Sequence, residues 1–135
     1  MSNVHQTLPI LALICCVGLG YITIFRGDRA ATVNAWMVPA GFSGLFFGWS
    51  LYAIWSEGPL GFWPEHIRNL WGNQIFCDLI LGISVGWVML APRAKALGMK
   101  LLPWFVLILC TGNIGLLAML ARFLFLHQRT TSLTL

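Results

Sequence analysis

"LWGNQIFCDLILGISVGWVML", residues 70–90, decides how the rest of the chain is read. It carries one charge, Asp78, and is otherwise apolar over a length that matches a bilayer's hydrocarbon core, which takes about 20 residues of α-helix. Three further stretches have the same character: about 7–25, closed by Arg26, Asp28 and Arg29; about 35–55; and about 101–126, opened by Pro103 in its first turn, where proline costs a helix least. The whole composition agrees. Of 135 residues, 59% are hydrophobic and 9% charged, and mean hydropathy is +0.82. A soluble domain carries about 25% charged residues. Such a shortage leaves too little polar surface to cover a globule in water, so a bilayer is the expected solvent.

The expected fold is therefore all-α: one integral membrane domain over 1–135, an antiparallel four-helix bundle with short connections. No Lys or Arg precedes the first run and no clear small-residue cleavage site follows it. A retained span is expected there, not a removed signal peptide. Loops one and three hold Arg26, Arg29, Arg93, Lys95 and Lys100, against Arg68, Arg122 and Arg129 toward the other side. Excess Lys and Arg marks cytoplasmic loops. That places loops 26–34 and 91–100 in the cytoplasm and both termini on the outer side of the membrane. The net charge of +4 is scattered between apolar runs, so lipid headgroups are the expected contact and nucleic acid is not.

The second loop, "SEGPLGFWPEHIRNLW", is rich in aromatic residues and broken by Pro59, Gly61 and Pro64. Trp55, Trp63, Trp71 and Trp104, with Arg122, are expected as anchors at the headgroup boundary, where amphipathic rings and snorkelling cations settle. In the second run Gly41, Gly44 and Gly48 share a helix face, and Gly82 and Gly86 repeat the theme in the third. Small residues let membrane helices approach closely, so these five are expected to pack helices together or to pair copies of the chain.

Asp78 is the sharpest question. At a helix centre in the bilayer an aspartate costs about 2.5–3.5 kcal/mol, which a partner, water or a proton must offset. If the fourth run is one helix antiparallel to the third, with the hairpin centred near Lys95, Asp78 is level with Asn113. Arg122 then sits about 13 Å further along and on a different face. The expected polar cluster is Asp78 with Asn113, joined by Gln74 one turn away.

Little else carries chemistry. Cys15, Cys16, Cys77 and Cys110 lie in apolar runs without a C-x-x-C, so neither a thiol redox centre nor zinc is indicated. His5, His66 and His127 all map to the outer side of this topology, at spacings that fit no metal motif. Glu57 and Glu65 are loop residues without paired geometry for acid–base work. No catalytic residue, metal or cofactor is expected.

The stretches "YAIWSEGPLGFW", "FCDL", "GWVMLAPRAKALGMKLLPWFVL" and "TGNIGLLAMLARF" resemble small bacterial membrane proteins of a family of unknown function (DUF2834-like). The likeness runs over about residues 50–127 and rests on Gly58, Phe62, Asp78-Leu79, Trp87, Arg93-Ala94, Leu97-Gly98, Trp104, Gly112, Leu120 and Arg122. It implies a bacterial inner-membrane protein and brings no catalytic assignment. Three functions are compatible with these readings. The first is a non-catalytic accessory or assembly subunit packing against a larger membrane complex or a second copy. The others are a proton-coupled small transporter or channel using Asp78, and binding or modification of a lipophilic molecule such as an isoprenoid, quinone or pigment.

Overall fold

The computed structural model describes residues 2–26 and 34–132. Among them are six helices and no strand: α1 (Ser2–Arg26), α2 (Met37–Glu57), α3 (Phe62–Ile67), α4 (Leu70–Ala96), α5 (Leu101–Thr111) and α6 (Asn113–Ser132). The chain divides into two compact units, Met1–Val33 and Asn34–Leu135, and each is taken by itself. Most of the first loop, with Asp28 and Arg29, lies outside the described residues.

The first unit is α1. Pro9 falls inside it, and Leu13, Ile14 and Val17 are exposed along it.

The second unit is built around α6, which packs against α2, α5 and α4. Contacts fix the directions. Ser43 Oγ donates to the Ile114 carbonyl at 3.0 Å, and the Trp36 ring meets Phe125 edge-on at 5.5 Å. Moving forward along α2 therefore means moving backward along α6, and the pair is antiparallel. Along α4, Ile83 approaches Gly112 and Gly86 approaches Leu116, so α4 and α6 run in the same direction. Trp87 of α4 and Phe105 of α5 lie 5.1 Å apart, and α5 runs antiparallel to α6, with Ile108 opposite Gly115.

The reversal overturns the expected continuous helix over 101–126, and with it the antiparallel pairing of the third and fourth runs. Two glycines explain it. Gly112 has φ 61° and ψ −127°, a conformation closed to residues with a Cβ, and it ends α5 with its N–H bonded to the Ile108 carbonyl at 2.7 Å. A Cβ on Gly115 would stand 2.9 Å from both Ile108 N and Thr111 Oγ1, so only a glycine there lets α6 fold back against α5.

The other end of α5 is set by a Schellman turn. Gly98, at φ 78°, donates to the Lys95 carbonyl at 3.0 Å, and Met99 N donates to the Ala94 carbonyl at 3.1 Å. Its apolar partners are both buried, Ala94 completely and Met99 at 8% exposure. α4 thus runs past the expected end at Leu90 to Ala96. Arg93 and Lys95 fall in its last turn, where cations complement the helix dipole. The helix starts at Asn69, whose Oδ1 accepts from Gly72 N at 2.7 Å as an N-cap.

The core is small. Leu90, Ala94, Met99, Ile108 and Met119 form it, with Ile83, Trp87, Trp104, Leu116, Phe123 and Leu126 packed around them. It lies wholly in the half of the unit where α5 doubles back. Beyond the Gly112 turn, α2 from Gly44 onward and α4 before Ile83 are almost entirely exposed. Among the described residues, two helices are long and apolar enough to cross a membrane, Met37–Glu57 and Leu70–Ala96.

Candidate functional site

Asp78 is exposed on α4. Among the described residues it makes no hydrogen bond or ion pair, and the expected cluster with Asn113 and Gln74 does not form. Height and phase both explain this. Ile83 lies level with Gly112. Asp78 comes five residues before Ile83, about 7.5 Å beyond the turn at which α6 begins. The side of α4 turned to α6 carries Ile83, Gly86 and Leu90. Asp78 lies about 110° round the helix from that side, and Gln74 further still. Asn113 is half-buried at the start of α6. Asp78 instead shares its surface with apolar neighbours: Val85 and Met89 are 59% and 58% exposed, and Trp71 is 72% exposed.

The glycines separate into two groups. A Cβ on Gly86 would come within 2.6 Å of Leu116 Cδ2, so Gly86 lies against α6. Gly41, Gly44, Gly48 and Gly82 have nothing within 4 Å of that position, which corrects the expectation that they close contacts between helices of this unit. The reason is again phase. α2 turns Pro39 and Ser43 toward α6 and buries them, while Gly41, Gly44 and Gly48 lie about 120–180° away. The α2–α6 contact is served instead by Pro39 and Ser43.

At the far end, α3 and the start of α4 form an elbow. A backbone contact between Gly72 and the Glu65 carbonyl closes it, and Phe76 takes Trp63 and His66 edge-on at 6.2 and 5.0 Å. His66 Nδ1 lies 2.6 Å from the Phe62 carbonyl, which can only accept, so that nitrogen carries the proton. A shallow open groove of about 320 Å³ runs over Glu65, His66, Arg68, Asn69, Trp71, Gly72 and Ile75. Arg68 and Glu65 pair across it at 3.3 Å.

His127 is stacked on Phe123 near the end of α6, beside the opposite end of α4. The reversal of α5 has separated it from His66, so the two do not share a side as the four-span reading expected. No group of three metal-binding side chains occurs among the described residues. Cys15, Cys16, Cys77 and Cys110 are free and exposed.

The expected anchors differ in setting. Trp55 is 90% exposed, and Trp63 and Trp71 flank the elbow. Trp104 packs on the core, because α5 folds back onto α4 and α6. Arg122 lies over the Phe125 ring, its Cζ 5.8 Å from the centroid, and Arg129 lies over the same ring at 4.5 Å. Phe125, Ser43 and Gly115 were not singled out from the sequence. The "TGNIG" pattern at 111–115, two glycines around a potential capping asparagine, is the signal that would have exposed the reversal. No family model, curated protein or solved structure matches this chain.

Proposed function

We propose that the protein is an integral membrane protein of a bacterial inner membrane, acting without catalysis as an assembly subunit that packs against other membrane helices. The expected DUF2834-like membership belongs to this proposal and adds no activity to it. The observation that carries it is Asp78, an exposed carboxylate with no partner among the described residues, on an apolar face of a helix long enough to span a bilayer. In lipid such a group costs about 2.5–3.5 kcal/mol at mid-depth. A donor on a neighbouring membrane helix removes that cost. The open ridge of Gly41, Gly44 and Gly48 supports the same reading, since a second backbone can approach there without meeting a side chain.

Crosslinking in native membranes, followed by purification, tests the proposal. One partner at fixed stoichiometry, or a dimer, is expected. Asp78→Leu and Gly44→Leu should each abolish it, and Asp78→Asn should keep it, because an amide still bonds to a donor. A monomer in wild type and every variant overturns the reading.

The same exposed carboxylate would serve proton-coupled transport. There the discriminating readout is flux: Asp78→Asn would retain assembly and abolish transport.

A further inference from the structure

Charge in the second unit is segregated by the reversal at Gly112. Because α6 runs alongside α4 in the same direction, their C-terminal ends lie together, with Ala94 and Met99 sharing a core with Phe123 and Leu126. The start of α2 joins them through Trp36 on Phe125. This end displays Arg93, Lys95, Lys100, Arg122 and Arg129, all exposed, and no carboxylate among the described residues. Phe125 backs two of the guanidinium groups, at 4.5 and 5.8 Å from its centroid, a cation–π arrangement that holds them at the rim. The opposite end, where α2 finishes and α3 and α4 begin, has Glu57, Glu65 and Arg68, and that arginine is paired with Glu65 at 3.3 Å. A four-span chain would have divided these cations between two sides.

Length completes the argument. α5 has 11 residues, a rise of about 17 Å against a hydrocarbon core about 30 Å thick. It cannot cross. α5 and the apolar first part of α6 can enter from one face, turn at Gly112 and leave by the same face. The backbone stays hydrogen-bonded within helices except at the turn, where Ile83 of α4 lies close to Gly112.

We infer that the α5–α6 pair is a re-entrant hairpin and that Arg93, Lys95, Lys100, Arg122 and Arg129 form one cationic pole seated on the anionic phospholipid headgroups of the cytoplasmic leaflet. The end of α6 then lies on the same side as the 97–100 turn, not outside. This rests on the reading of the chain as a membrane protein and adds the side on which each end lies.

The test is labelling with a membrane-impermeant maleimide in intact cells and in inverted membrane vesicles. Single cysteines are placed at Glu65, Lys95 and Arg129 in the otherwise unaltered chain, whose own cysteines all lie in apolar helices and give the blank. Positions 95 and 129 should label together, in inverted vesicles, and position 65 in intact cells. Position 129 labelling with position 65 overturns the hairpin while leaving the membrane reading intact. A parent chain that labels freely and is stripped from membranes by carbonate overturns both. Spin-labelled lipids then probe the pole. Phosphatidylglycerol should be enriched around the protein over phosphatidylcholine, and the enrichment should fall in 0.5 M salt and in R93Q/K95Q/K100Q. Equal association of the two lipids overturns the headgroup contact.

Discussion

Replacing Gly112 with alanine challenges the feature on which the second unit depends. At φ 61° and ψ −127° an alanine is strained by about 1–3 kcal/mol. Its Cβ meets only Ile83 Cδ1, at an ordinary 3.6 Å, so the cost is conformational and not steric crowding. Alanine also favours an uninterrupted helix over glycine by about 1 kcal/mol. Together these move the balance between hairpin and straight helix by about 2–4 kcal/mol, or about 30- to 900-fold, toward the straight form. Spin labels at the exposed positions Leu102 and His127 read the outcome. In the hairpin, where Ile108 stands opposite Gly115, their backbones are about 13 Å apart, for helices packed at about 9 Å. In one continuous helix the separation is about 37 Å. Wild type should give the short distance, and Gly112→Ala should develop the long one or unfold at lower temperature. A wild-type distribution centred near 37 Å, or a variant indistinguishable from wild type, refutes the reasoning.

Four further substitutions separate the glycines and polar contacts by role. Gly115→Ala places a Cβ 2.9 Å from backbone nitrogen and should cost about 1–3 kcal/mol of stability in detergent, read as a lower thermal midpoint. Gly44→Ala meets open space in mid-helix and should leave the isolated protein as stable or more so, by up to about 1 kcal/mol. Ser43→Ala removes the bond to the Ile114 carbonyl that ties α2 to α6, a loss of about 0.5–1.5 kcal/mol; Asn69→Ala uncaps α4 for about 1 kcal/mol, and hydrogen exchange should quicken in its first turn.

How far the sequence led depended on what each feature needed. Helices are dictated locally, by long apolar runs without strand alternation, and α2 and α4 lie close to where composition places them. The Asn69 cap and the Gly98 turn are also local, carried by one or two residues each, but neither was singled out as a cap or turn from the sequence. The site failed at one pair of glycines, Gly112 and Gly115. Hydropathy is blind to a break inside an apolar run, so residues 101–126 read as one span, although "TGNIG" holds both glycines that the reversal requires. Everything that rested on a continuous fourth helix failed with it: the height match of Asp78 to Asn113, the common side of His66 and His127, and Trp104 as a boundary anchor. The glycine ridge of α2 went wrong differently. Helical phase correctly grouped Gly41, Gly44 and Gly48, but phase within one helix does not say which face its neighbour takes. Ser43, whose hydroxyl reaches the Ile114 carbonyl, marks that face instead.

Photo-crosslinking in native membranes tests the assembly role most directly. A photoreactive residue is placed in turn at Leu81, beside Asp78, at Leu45, beside Gly44, and at Leu109 on α5 as the reference; all three side chains are more than 60% exposed. Leu81 and Leu45 should each give a protein adduct of one discrete mass, and Leu109 should give lipid adducts. Lipid adducts alone at all three positions would contradict the account.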